Sequence, residues 1–201
     1  MSVLVLFSGG VDSTFLCHQA SSEGLLRSAM FMDYGQAAAR MERRAVELWS
    51  AREDTEVIHA QVQIHGTDQH MNTGAGSPGL RILPGRNLVM LSHAANYAAT
   101  HGINRVWYGA TVNDADYPDC LPEWVDALNA LTTRDLGVSI EAPLISMSKR
   151  EIMQEADRLG IFLSSAWSCY QPVGSSPCGE CHSCEERISA TVRPVVRMGN
   201  G

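Results

Sequence analysis

Short apolar runs and helix-forming stretches alternate along this chain, and that alternation restricts its fold more than any other feature. Val3-Leu4-Val5-Leu6-Phe7 is a continuous apolar run of strand length, the composition of a strand covered on both faces. Glycines follow, and then a helical segment from about Ser13 to Ala20. Ser28 to Met32 predicts a second strand. Gln36 to Glu53 holds Ala, Met, Glu, Arg and Leu without Gly or Pro, so it predicts a helix. Thr55 to Gln63 alternates and is β-branched, a third strand. His65 to Pro84, rich in Gly, Ser, Thr, Pro and His, reads as a long loop. Arg86 to Thr100 returns to helical period, with Leu88, Leu91, Ala95 and Ala98 on one stripe. Asn104 to Tyr108 predicts a fourth strand, Gly109 to Pro122 an acidic loop, Glu123 to Thr133 a helix and Val138 to Ile140 a fifth strand. Ser148-Lys149-Arg150-Glu151 is a capping-box pattern, so a helix starts at Ser148 and ends near Gly160. Five alternations predict a five-stranded parallel sheet with helices on both faces. Residues 1–164 are assigned to this α/β domain and 165–201 to a short Cys-rich element without apolar periodicity.

At 201 residues the chain suits one domain with a small appendage. Its 15 basic and 22 acidic residues give a net charge of −7, which argues against stable binding to nucleic acid or to an anionic membrane. Met1 leads directly into the first apolar run and then glycines, unlike a signal peptide. No stretch approaches the roughly 18 apolar residues of a membrane span, so a cytoplasmic location is expected.

The string Ser8-Gly9-Gly10-Val11-Asp12-Ser13-Thr14 joins the first strand to the first helix. Consecutive glycines let the backbone approach a ligand, and the free amides of the helix start make an anion site suited to phosphate. No lysine follows the glycines, so this is not the GxxxxGK[ST] loop. The sole lysine among the 15 basic residues is Lys149, placed just after a strand, at the sheet edge where ligands bind. Its flexible ammonium is a suitable point-charge partner for a phosphate.

Cys169, Cys178, Cys181 and Cys184 lie within sixteen residues, the last three in interlocking CxxC turns. Such turns point sulfurs at one centre, and tetrahedral zinc takes four of them. A Cys₄ site has no open position, so this zinc is structural. An iron–sulfur cluster is the rival occupant.

The glycine string resembles the SGGxDS pyrophosphate loop of the ATP pyrophosphatases, enzymes that activate a carboxyl or carbonyl oxygen by adenylation. Further strings narrow the resemblance: Asp33-Tyr34-Gly35-Gln36, Pro84-Gly85-Arg86-Asn87, Asn113-Asp114-Ala115-Asp116-Tyr117-Pro118-Asp119-Cys120, Ser148-Lys149-Arg150-Glu151-Ile152 and Ser168-Cys169-Tyr170. In this order they look like the QueC family, the 7-cyano-7-deazaguanine synthases of queuosine biosynthesis. The resemblance implies a fold like that of the adenine nucleotide alpha hydrolases, which is Rossmann-like. It implies an ATP site over Ser8, Gly9, Gly10, Val11, Asp12 and Ser13, with Asp33 and Lys149, and Asp12 acting through a magnesium ion. It implies that ATP activates the carboxylate of 7-carboxy-7-deazaguanine, that ammonia attacks to give an amide, and that a second activation yields the nitrile. The enzyme would be a carbon–nitrogen ligase, with Asp12, Lys149 and Arg86 as its catalytic residues, and a homodimer. Acidic and carbonyl groups read the donor-rich edge of a guanine-like ring, so the substrate residues are expected to be Arg86, Asn87, Asn113, Asp116, Tyr117 and Asp119.

The sequence departs from the family pattern at Ala37 and Ala38, where Arg-His is usual, at Gly85, where Ala is usual, and at Leu121, where Arg is usual. These departures motivate a second expectation: a paralogue of a phage or antiphage defence system that transfers the activated deazaguanine to an amine of a protein or another large partner. A tRNA-thiolating pyrophosphatase with an iron–sulfur cluster and a non-catalytic nucleotide-binding module are the remaining readings.

Overall fold

The computed structural model describes residues 1–65 and 83–191. The expected loop from His65 to Pro84 therefore lies almost wholly outside the described residues. Five strands form one parallel sheet: β1 (Val3–Leu6), β2 (Leu26–Asp33), β3 (Val57–Gln61), β4 (Arg105–Trp107) and β5 (Ser139–Glu141), in the order β3-β2-β1-β4-β5. The helices are α1 (Val11–Ser22), α2 (Ala39–Glu53), α3 (Arg86–Thr100), α4 (Pro122–Leu136), α5 (Lys149–Arg158) and α6 (His182–Thr191).

Side chains alternate across the sheet with period two, so each central strand feeds two cores. Val3 and Val5 of β1, with Ala29 and Phe31 of β2, pack on one face against Leu16 of α1, Val46 and Trp49 of α2 and Ile152 of α5. Leu4 of β1, with Met30 and Met32 of β2, packs on the other against Leu91 and Ala95 of α3 and Val125 and Leu128 of α4. This explains why β1 reads as uninterrupted apolar sequence: both of its faces are covered.

The capping box at α5 forms as its spacing predicts. The Ser148 N–H donates to Glu151 Oε2 at 2.7 Å and the Glu151 N–H to Ser148 Oγ at 3.3 Å, and Gly160 beyond the helix adopts φ +70. The acidic loop is more ordered than a plain loop, with short 3-10 turns at Val112–Asp114 and Pro118–Cys120.

The Cys-rich segment after residue 165 contains α6. This helix buries only Ser183 and Cys184 and lacks an apolar stripe of its own. It packs on α5. It is tied to the domain by the Arg187 guanidinium, which donates to the Ala166 and Leu163 carbonyls, and the Trp167 N–H donates to the Gly9 carbonyl at 2.8 Å.

Candidate active site

From β1 the chain crosses to β2 on one side, whereas β4 lies on the other. The crevice between β1 and β4 is thus the switch point where open parallel sheets bind ligands, at the C-terminal ends of their strands. A cavity of about 250 Å³ opens there.

The glycine loop forms one wall. Gly9 has φ +74, and a Cβ on it would sit 3.0 Å from both the Glu42 carbonyl oxygen and Ala45 Cβ, so glycine is required for the loop to lie on α2. Ser8 Oγ accepts from the Gly10 N–H at 3.3 Å and lies 3.2 Å from Ser13 Oγ. At the first turn of α1, Asp12 pairs with Lys149 from the first position of α5, although the two are 137 residues apart. The Asn113 side chain accepts the Lys149 N–H at 2.9 Å and so fixes the start of α5. Burial raises the Asp12 carboxyl above its ordinary value, against the opposing pull of Lys149. Asp12 Oδ1 is buried without a hydrogen-bond partner.

Arg86, at the start of α3, lines the same cavity. It shares a hydrogen bond with the Tyr34 hydroxyl and lies within electrostatic reach of Tyr170, Glu42 and Asp119. Burial raises the phenols of Tyr34 and Tyr170, so both are neutral donors at physiological pH. Burial also pushes the Glu42 carboxyl up to about 7, opposed by the hydrogen bond from Gln36 Nε2 at 2.7 Å and by the Arg86 charge. Cys120 lines the cavity, but burial pushes its thiol up to about 12, which removes the thiolate a nucleophile needs.

Of the residues singled out in the sequence, the structure brings Ser8, Gly10, Val11, Asp12, Ser13, Arg86, Asn87, Tyr117 and Lys149 onto this one cavity. Gly9 supports the loop from behind. Asp33, Asn113, Asp116 and Asp119 are not on the cavity wall. Asp33 is engaged by Arg43 at 2.7 Å and by the Gly35 N–H at 3.1 Å, so α2 takes up its charge. From the acidic loop the wall instead receives Asp114, whose Oδ2 also accepts from Thr111 Oγ1 at 2.8 Å. Glu42 and Glu186 line the cavity without any motif to announce them. Of the departures from the family pattern, Ala38 reaches the wall, whereas Ala37 is exposed, and Gly85 (φ +69) and Leu121 are the N-caps of α3 and α4.

The four cysteines converge as their spacing predicts, with all Sγ atoms within 4.8 Å of one another. Cys169 and Cys178 are 3.5 Å apart and Cys178 and Cys184 4.0 Å, against ~3.8 Å for sulfurs tetrahedrally placed around zinc. Against some desolvation, the amides of Glu180 and Cys181 pull the Cys178 thiol down to about 7, toward the thiolate a metal requires. The group can therefore hold a metal ion.

A family model described as "Queuosine biosynthesis protein QueC" matches residues 2–193. The 7-cyano-7-deazaguanine synthase of Marinobacter nauticus is 34% identical over 94% of this chain and 91% of its own length. That of Chlorobium phaeobacteroides is 35% identical over 98% and 95%. Among solved structures, the U34-tRNA thiolase NcsA from Methanococcus maripaludis with its [4Fe-4S] cluster superposes with a TM-score of 0.55. It covers 87% of this chain and 61% of that one at 12% identity, a likeness of fold alone. The defence paralogue has no support among these relatives. A match that runs from β1 through α6, over both the glycine loop and the four cysteines, places the chain in the QueC family of queuosine biosynthesis proteins.

Proposed function

We propose that this chain is an ATP-dependent carbon–nitrogen ligase that converts 7-carboxy-7-deazaguanine and ammonia to 7-cyano-7-deazaguanine in the cytoplasm. The observation that carries this reading is one cavity in which the Lys149–Asp12 pair and the glycine loop face a chamber of Arg86, Tyr34 and Tyr170. The names of the curated relatives support the same substrate class.

The loop amides of Gly9 to Ser13, with Ser8, hold the pyrophosphate of ATP, and Lys149 adds its point charge. The buried, unpartnered Asp12 Oδ1 fits a magnesium ion, which Asp12 would hold and which would offset charge on the phosphates. Arg86 presents a fork to the substrate carboxylate, and Asn87, Asp114 and Tyr117 face the ring. A carboxylate oxygen attacks the α-phosphorus of ATP, and pyrophosphate leaves. Ammonia then attacks the acyl carbon, giving the amide and AMP. The amide oxygen attacks the α-phosphorus of a second ATP and pyrophosphate leaves; two protons leave the nitrogen, AMP carries the oxygen away, and the nitrile remains. Zinc on Cys169, Cys178, Cys181 and Cys184 would be structural and would clip the C-terminal element that carries α6 to the α/β domain.

Purified protein supplied with ATP, magnesium, 7-carboxy-7-deazaguanine and ammonium should yield nitrile by mass spectrometry, with acid-dependent AMP. Absence of acid-dependent AMP would remove the reading.

A further inference from the structure

A reaction that joins an activated carboxyl to an amine has three reactants, and the cavity just described has walls for two. Its volume of about 250 Å³ is small for a ligand pocket. A second opening of about 200 Å³ lies between the start of α5 and the outer turns of α6, walled by Asn113, Ser148, Arg150, Ser189 and Ala190. Lys149 and Glu186 line both spaces.

Glu186 projects from α6 with its side chain 13% exposed, and Oε1 is buried with no hydrogen-bond partner. His182 Nε2, one turn back and largely exposed, is 3.6 Å away. Lys149, Asp12 and Asp114 face Glu186 across the cavity. The neighbouring Arg187 turns away to the Ala166 and Leu163 carbonyls. Among the described residues this corner sets the carboxylates of Glu186, Asp12 and Asp114 against Lys149, which already pairs with Asp12, with His182 Nε2 facing Glu186 Oε1 and Arg150 on the wall of the second opening. A buried acceptor without a donor keeps its desolvation cost, and a cation bearing N–H groups would relieve it.

We propose that Glu186 is the docking carboxylate for the amine substrate, received as a small ammonium ion through the opening between α5 and α6. This rests on the ligase reading above. Glu186, on the edge shared by the two spaces, offers that cation a buried anionic acceptor. Bound there, the ammonium nitrogen gives one proton to water. Its lone pair then attacks the acyl carbon of the adenylate. The C–N bond forms, the bond from that carbon to the bridging oxygen breaks, AMP leaves with the electron pair, and a second proton passes to water.

Steady-state kinetics of the full-length, metal-loaded protein test this. Glu186→Gln should raise KM for ammonium roughly 10- to 100-fold, the loss of a charge-assisted hydrogen bond. The kcat at saturating ammonium, the KM for ATP and the magnesium dependence should not move. Ala190→Trp, which narrows the second opening, should raise KM for methylammonium more than for ammonium. An unmoved ammonium KM in Glu186→Gln, a change in magnesium dependence instead, or equal effects on both amines in Ala190→Trp would overturn the proposal. Acid-dependent exchange of pyrophosphate into ATP without ammonium reports separately on the ligase reading. Its absence in the unaltered protein removes that reading and the docking role together; its presence with an unmoved ammonium KM removes the docking role alone.

Discussion

Replacing Glu42 with glutamine should stabilise the protein at neutral pH and leave it little changed in mild acid. Glu42 sits in the first turn of α2, over the glycine loop, with Oε2 taking the Gln36 amide at 2.7 Å. Burial moves its carboxyl from 4.5 to about 7. The sign follows from linkage. Below 4.5 the group is protonated whether the chain is folded or not. Between 4.5 and 7 the unfolded chain ionises while the folded chain does not, so stability falls as pH rises; above 7 the loss is complete. A rise from 4.5 to 7 corresponds to about 3 kcal/mol at 1.36 kcal/mol per unit. In a chain of this size that is roughly 6–12 °C in Tm. Glutamine keeps an acceptor for Gln36 and has no charge to bury, so the variant should escape the loss. Thermal unfolding of both proteins at several pH values between 4 and 8 measures the difference in Tm. That difference should be near zero at the acid end and grow in favour of the variant above pH 5, reaching a plateau past 7. A difference constant with pH, or a variant less stable at pH 8 than at pH 5 relative to the unaltered chain, would refute the reasoning.

Lys149→Met removes the phosphate partner and leaves Asp12 buried without a counter-charge, so acid-dependent AMP formation should fall by roughly 10²–10³ while circular dichroism stays native. Gly9→Ala forces a Cβ to 3.0 Å from the Glu42 carbonyl at φ +74 and should cost about 1–3 kcal/mol, read as a lowered Tm. Cys184→Ser should abolish stoichiometric zinc by elemental analysis and lower Tm, because α6 buries little apolar surface with which to hold itself. Nitrile production unchanged in Lys149→Met, or full zinc content in Cys184→Ser, would count against the roles assigned here.

Local signals proved sufficient wherever one stretch of chain settles the outcome. The capping box set the start of α5, the interlocking CxxC turns set the sulfur cluster, and three members of the predicted stripe of α3, Leu91, Ala95 and Ala98, are buried, whereas Leu88 is exposed and Ala94 takes its place. What escaped the sequence is decided between stretches. Asp33, at the end of β2, lies off the cavity wall and pairs with Arg43 from α2, a contact between two stretches that neither one signals alone. In the acidic loop the two 3-10 turns carry Asp114 to the cavity wall and leave Asp116 and Asp119 off it. Glu42 is one charge among several on α2, and its carboxyl is buried at the cavity wall beside Gln36 and Arg86, which come from other stretches of chain.

Helix α6 is the strongest case of this kind, and it joins two features that look separate in sequence. Its weak apolar face hides it from periodicity, yet the same ten residues carry the last cysteine, the Arg187 anchor and the Glu186 carboxylate. Glu186 lies two positions beyond Cys184, so the turn that delivers a sulfur to the metal also aims a carboxylate at the cavity. Chelation should therefore weaken the use of ammonium before the domain unfolds, since the sheet and its two cores do not depend on the cysteines for their packing. A titration with chelator, following KM for ammonium, KM for ATP and far-ultraviolet circular dichroism together, separates these events. The ammonium KM should rise first, with helical signal lost only in proportion to α6. Simultaneous loss of all three would mean that the clip stabilises the whole domain and has no separate part in holding the site.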